Sequence, residues 1–236
     1  MRVNRLLLAC TFVIATIALA AGCARFIPPS ATPIPPAASE QSVVPTSTDL
    51  GTVEVSSYKG KPLDTVASEP ENSIKGPQDV DRVSYRLSVT GKVKKPLKLT
   101  YAQVRAMPSY QKVTTLNCVE GWSKTYLWQG VRIRDLLAEA GYDSAAKTVI
   151  FTSYDGYSTS LPLDFVVGRN LLLAYAMNGK ETPPERGFPF QVVAEDRFGY
   201  KWAKWVTGIE VSDDANYRGY WEQRGYDNSA KFPGTK

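Results

Sequence analysis

Beyond residue 80 the chain breaks into short runs of apolar residues separated by turn-forming positions. Tyr85 to Val89 alternates apolar and polar with a period of two and meets Gly91, the pattern of a half-buried strand closed by a turn. The β-branched runs Val113 to Cys118 and Val149 to Thr152 predict two more strands, as do Phe190 to Val193 and Trp205 to Val211. Helical spacing is rarer and the helices it predicts are short. Thr100 caps a turn and a half that ends before Pro108. Val131 to Ala140 brings Val131, Leu136, Leu137 and Ala140 near one face, with Gly141 placed to terminate the helix, and Leu163 to Val167 predicts a third. Short strands with helices set between them make a mixed α+β domain.

The N-terminus follows a different pattern. Arg2 and Arg5 precede an apolar run from Leu6 to Ala21, which is short for a membrane span and closes on Ala20-Ala21-Gly22-Cys23. This predicts a lipoprotein signal over 1–23, with Cys23 acylated and the remainder held outside the cytoplasm on a lipid anchor. Residues 24–51 are rich in Pro, Ala, Ser and Thr and carry few large apolar groups. Such a segment buries too little surface to offset the entropy of ordering, so it is expected to be a disordered tether. Residues 52–236 then form one domain.

Composition narrows the chemistry. The 236 residues contain no histidine, which excludes His-ligated haem and the usual His-dependent hydrolases. The net charge of +5 is spread without a dense basic run, so no nucleic-acid partner is expected. Thirteen tyrosines and five tryptophans suit a pocket that encloses a large polar ligand. Of three cysteines, Cys10 lies in the signal and Cys23 at its end, which leaves Cys118 alone in the domain. A single thiol in an oxidising exterior is exposed to oxidation unless it is buried or bound. By residue type a lone cysteine is a small buried hydrophobe. Cys118, however, ends a β-branched run just before Gly121, where a strand breaks into a loop, and a thiol placed there is well set to bind a soft metal.

The segment Asn117-Cys118-Val119-Glu120-Gly121-Trp122 resembles the signature of the sulfite-oxidase fold superfamily of molybdopterin-dependent oxidoreductases. Three further segments resemble the same family in order and approximate spacing: Glu71 to Pro77, Phe151 to Tyr157, and Pro183 to Phe190 continuing into Phe198 to Val206. The likeness covers about residues 54–227. It implies a single-domain sulfite-oxidase-type fold of mixed sheets and short helices, similar to the small bacterial branch that includes the catalytic subunit of periplasmic methionine-sulfoxide reductase, and without the dimerisation domain of the eukaryotic enzymes.

The resemblance also implies a molybdenum–molybdopterin cofactor with Cys118 as the sole protein ligand of the metal. Asn72, Lys75, Gly76, Ser153 and Gln191 are then cofactor-binding residues, and Arg186, Gly199, Tyr200, Lys201 and Lys204 supply the cations and backbone N–H groups that a phosphate requires. By residue type alone Arg186 and the two lysines would be solvated surface charge. Tyr154 and Asp155 are candidates for substrate contact, although Asp155-Gly156 is also a turn signal. Trp122 and Trp128 are expected to pack. The activity implied is oxygen-atom transfer or two-electron reduction of a small oxidised sulfur or nitrogen compound by a monomer. A separate electron-transfer protein, such as a haem- or quinone-linked membrane partner, would supply the electrons. The alternative is a non-catalytic tethered module that uses the same cavity for a small anionic ligand.

Overall fold

The buried strands explain themselves by what lies on either side of them. In the computed structural model, which describes residues 42–44 and 50–233, the first sheet has the order β1 (Ser42–Val44), β6 (Ser109–Asn117), β7 (Ser123–Arg132), β10 (Leu172–Met177), β11 (Lys180–Glu181), with β12 (Gln191–Val193) also paired to β10. Every residue of β10 is buried, as is β7 from Tyr126 to Val131. Strands covered on both faces show continuous apolar runs rather than alternation. This is why neither was visible as a period-two pattern, and Val131 belongs to β7 rather than to the helix expected there.

The second sheet has the order β5 (Leu97–Leu99), β4 (Leu87–Gly91), β13 (Val206–Ser212), β8 (Thr148–Ser153), β9 (Ser158–Pro162). Only β4 and β13 run parallel. A small hairpin joins β2 (Ser57–Tyr58) to β3 (Lys61–Pro62). Among the described residues three short α-helices complete the fold: α1 (Tyr101–Arg105), α2 (Ile133–Ala140) and α3 (Leu163–Gly168). Thr100 and Gln103 cap α1 reciprocally, and Gly141 ends α2 in the left-handed region at φ 67°. Ile133, Leu136, Leu137 and Ala140 form the buried face of α2.

The chain's entry into the domain corrects one expectation. Residues 42–44, which composition assigned to the tether, pair antiparallel with β6, Val43 opposite Tyr110. A β-branched pair beside an open strand edge gains ladder hydrogen bonds that a proline-rich composition does not reveal. The signal segment, Cys23 and most of the tether lie outside the described residues. Among the described residues no helix is long and apolar enough to cross a membrane.

Close contact between β7 and β10 depends on Gly130. A Cβ added there would lie 2.2 Å from the Leu173 carbonyl oxygen and 2.6 Å from Ala174 Cα, both backbone atoms that cannot move aside. Gly130→Ala is therefore expected to cost about 1–3 kcal/mol or more, outweighing the roughly 0.5–1 kcal/mol that alanine gains over glycine within a strand. A urea midpoint at or above wild type would contradict this.

Candidate active site

Cys118 is the residue immediately after β6, in the turn that leads into β7. Its N–H donates to the Trp122 carbonyl at 2.9 Å and its own carbonyl accepts from Gly121 N–H at 3.2 Å, so the turn closes tightly around the thiol. Gly121, at φ 92°, takes a backbone conformation that a side chain would disfavour. Beside it, Phe198 bridges to Asn117, and Gly199 packs where a Cβ would sit 3.3 Å from Leu116 Cδ2 and 3.5 Å from the Asn117 oxygen. The β8–β9 turn arrives from the second sheet, with Asp155 Oδ1 accepting from Tyr157 N–H at 2.9 Å. Tyr154 N–H donates to the Trp205 carbonyl at 2.9 Å and ties this turn to the 198–205 segment.

These ends surround a cavity of about 460 Å³, within the range of small-molecule and cofactor sites. Its wall includes Asn72, Ser73 and Ile74, the Cys118–Glu120 turn, Asp155 and Tyr157, then Gly199, Tyr200, Trp202, Lys204 and Trp205, and finally Tyr220, Trp221 and Tyr226. Cys118 is a free, buried thiol. Asn72 Nδ2 donates to its sulfur at 3.7 Å, and the thiol points to Glu120 Oε2 at 3.6 Å, which also accepts from Trp122 Nε1 at 3.0 Å. Burial holds the thiol above its usual pKa and the Glu120 carboxylate adds to this, while the backbone N–H groups of Glu120 and Val119 pull it down. Those two N–H groups favour an anionic sulfur.

Six of the expected site residues reach the cavity: Cys118, Asn72, Asp155, Gly199, Tyr200 and Lys204. Ser153 does not line it, yet its hydroxyl is buried with no partner from the protein; the Ser73 hydroxyl, on the cavity wall, is in the same state. Tyr154 is 58% exposed and lies outside the wall. Lys75 and Gly76 also lie outside it, and Lys75 Nζ is 3.5 Å from where a Cβ on Gly156 would be.

Three of the expected cofactor-binding residues lie off the cavity wall. Gln191 is buried within β12 opposite Ala174, away from the cavity wall. Arg186 turns inward: its guanidinium donates to the Glu69 and Pro70 carbonyls and lies 3.6 Å from Glu69 Oε1 and 3.8 Å from Glu71 Oε2. These contacts fasten the loop that carries Asn72. Lys201 is fully buried and paired with Glu222, because a cation in that position is stable only beside a compensating carboxylate. That leaves Lys204 as the cation on the cavity wall, with its ammonium 3.1 Å from Glu71 Oε2.

Ser73, Ile74, Glu120, Tyr157, Trp202, Trp205 and the aromatic residues from Tyr220 to Tyr226 were not anticipated. All but the last group stand inside the quoted motifs. The density of rings between Tyr217 and Tyr226 was the one signal for the last group.

Among the described residues no cluster of three or more Cys, Asp or Glu side chains could hold a metal alone. A metal here would need donors from outside the protein. The residues present fit a pterin that brings its own sulfur ligands: the buried Cys118 thiol, the Ser73 hydroxyl, the Asn72 amide and Lys204 around an open cavity.

The family described as oxidoreductase molybdopterin binding domain matches residues 74–221, and the chain belongs to it. It is a molybdopterin-binding oxidoreductase domain with the sulfite-oxidase-type fold that the resemblance implied. An uncharacterized oxidoreductase of Bacillus subtilis is 40% identical over 62% of this chain and 74% of its own length. Mouse mitochondrial sulfite oxidase is 30% identical over 63% of this chain and 32% of its own. The catalytic subunit of the protein-methionine-sulfoxide reductase MsrP from Campylobacter jejuni is 24% identical over 63% and 56%. Among solved structures, the sulfane dehydrogenase SoxCD of Paracoccus pantotrophus aligns with a TM-score of 0.57 at 25% identity, over 60% of this chain and 41% of that one. The chain thus spans about half or less of several of these proteins.

Proposed function

We propose that the protein is an exported, lipid-anchored reductase that removes an oxygen atom from a small oxidised sulfur or nitrogen compound at a molybdenum held by Cys118. The observation that carries this reading is the placement of the domain's lone thiol: buried, on the wall of an open cavity, and contacted by Asn72 Nδ2 at 3.7 Å. When bound, the molybdenum–pterin group supplies two-electron oxygen-atom chemistry. The chain's own residues hold and orient it. Cys118 provides the soft anionic donor, Asn72, Ser73 and Ser153 offer hydrogen bonds to the pterin edge, and Lys204 offers a cation to its phosphate.

The net reaction takes a sulfoxide, two electrons and two protons to a sulfide and water. With no histidine in the chain, the proton-holding groups on the wall are Asp155, Glu120 and the tyrosines. Electrons come from a separate protein, the haem- or quinone-linked membrane partner being the kind that an anchored enzyme can reach. The reductive direction is supported by the methionine-sulfoxide reductase relative and by a wall that carries one lysine against two carboxylates, a poor receptor for sulfite. Export and anchoring rest on the residues from Met1 to Cys23, which support a signal with an acylated cysteine.

Protein made in a host that synthesises the pterin is expected to contain about one molybdenum per chain, as a single thiolate site provides. With a reduced viologen as donor it should consume sulfoxide faster than it oxidises sulfite. Metal-free protein from such a host, or sulfite oxidation as the dominant activity, would remove this reading.

A further inference from the structure

The cavity wall has two chemically distinct parts. Asn72, Ser73 and Lys204 make one; aromatic rings make the other. Tyr157 and Tyr200 come from the body of the domain, whereas Tyr220, Trp221 and Tyr226 come from the last stretch of chain, most of which lies beyond the family match that ends at residue 221. The rings are in mutual contact, Tyr157 with Tyr220 at 5.9 Å, Tyr220 with Trp221 at 5.2 Å, Trp221 with Tyr226 at 5.1 Å, and Tyr226 with Tyr200 at 5.2 Å.

That stretch is fastened at several points. Tyr220 N–H donates to the Ser158 carbonyl at 2.9 Å, and Phe198 N–H donates to the Ala230 carbonyl at 2.9 Å. Gly219 lies so close to β9 that a Cβ would be 2.1 Å from the Ser158 oxygen. Between these points, Lys201 and Glu222 form an ion pair with no solvent exposure at either side chain. Lys201 Nζ also donates to the Ser160 carbonyl and to Asn228 Oδ1, each at 3.0 Å, and Thr159 Oγ1 donates to Glu222 Oε1 at 2.7 Å. A buried ion pair with several further hydrogen bonds is costly to form, and its best-attested use is to specify one arrangement rather than to add stability.

We propose that residues 217–233 are a specificity strap, latched by Lys201–Glu222, whose rings make the Cys118 cavity select uncharged, methyl-bearing sulfoxides or N-oxides over oxyanions. The reasoning is electrostatic. An aromatic face carries negative charge density and attracts methyl groups borne by an electron-poor sulfur or nitrogen. The wall's charged side chains are Glu120, Asp155 and Lys204; the last is engaged by Glu71 and committed to the pterin phosphate in the reading above, so a substrate oxyanion meets two carboxylates with no cation left to offset them. Lys201 and Glu222 lie off the cavity wall and act as positioning residues. The substrate class rests on the reductase reading above; the strap and its latch do not.

The test uses the metal-loaded protein, with methyl p-tolyl sulfoxide and sulfite as probes in calorimetric titrations. Wild type is expected to bind the sulfoxide in preference to sulfite. Tyr226→Leu, at a half-buried ring, should weaken sulfoxide binding about five- to tenfold, the size of one aromatic contact, with molybdenum content unchanged. Glu222→Gln should do the same by loosening the strap, raising KM for the sulfoxide far more than it lowers kcat. If Glu222→Gln fails to fold, Tyr226→Leu alone decides the matter. Unaltered sulfoxide affinity in Tyr226→Leu, or a wild type that prefers sulfite, overturns the proposal while leaving a molybdenum-containing enzyme in place. Conversely, wild type that holds no molybdenum but still loses sulfoxide affinity in Tyr226→Leu supports the strap and removes the reductase.

Discussion

Cys118→Ser is expected to purify without molybdenum and to lose at least roughly a hundredfold in turnover, exceeding the 10–100-fold losses that follow changes one shell further from a metal. The substitution keeps size and hydrogen-bonding capacity almost constant but exchanges a soft, ionisable sulfur for a hard hydroxyl that does not deprotonate in this pH range. Nothing else on the cavity wall can replace it, since Glu120 and Asp155 offer hard oxygen donors. Folding should be nearly untouched, because the residue buries little volume and its nearest partners, Asn72 and Glu120, both bond a hydroxyl readily. Elemental analysis of wild type and variant beside their thermal melts separates the cases. Equal metal in both proteins means that the thiol is not the ligand, and a collapsed melt means that Cys118 is a packing residue first.

Arg186→Met should lower stability at neutral pH by about 3–5 kcal/mol, the range for stripping one partner from a buried charge pair. Arg186 is 6% exposed, and its guanidinium donates to the Glu69 and Pro70 carbonyls and faces the carboxylates of Glu69 and Glu71. Methionine fills much of the volume and satisfies none of this. Burial raises the pKa of Glu69 above the usual carboxylate range, and Arg186 opposes that rise. A carboxyl whose pKa is raised on folding contributes stability below its unfolded pKa and loses it as pH climbs through the folded value. Without Arg186 the folded value moves higher still, so the deficit relative to wild type should be largest at pH 7 and should shrink as the pH falls towards 4.5. Urea titrations at several pH values test this, and a pH-independent deficit would count against Glu69 as the stranded charge. The same variant should retain less cofactor, since the loop fastened by Arg186 carries Asn72 and Ser73 to the cavity. Arg186→Lys keeps the charge but not the planar fork and should fall between the two.

The positions that were legible from residues alone share a local cause. The Thr100 cap, the Gly141 terminus, the alternation before Gly91 and the thiol at the end of a β-branched run each depend on a few neighbours in the chain. Motif order then placed Asn72, Asp155, Gly199, Tyr200 and Lys204 at one cavity. Arg186 and Lys201 looked like phosphate ligands because a cation beside glycine and aromatic residues has the right composition. What sets their role is a carboxylate distant in sequence, Glu69 in one case and Glu222 in the other. No local pattern encodes such a pairing.

The amino-acid sequence by itself determined the family, the α+β class, the single domain thiol and the absence of histidine, and with them the kind of chemistry open to the protein. These follow from residue identity and from short-range spacing, which survive without any knowledge of packing. Tertiary structure decided which cations lie on the cavity wall and which pair with a buried acid, that strand Ser42–Val44 joins the first sheet, and that the final aromatic stretch returns to wall the cavity. Those outcomes depend on burial. The cost of removing a charge from water is set by what surrounds it in space, and sequence neighbours say little about that.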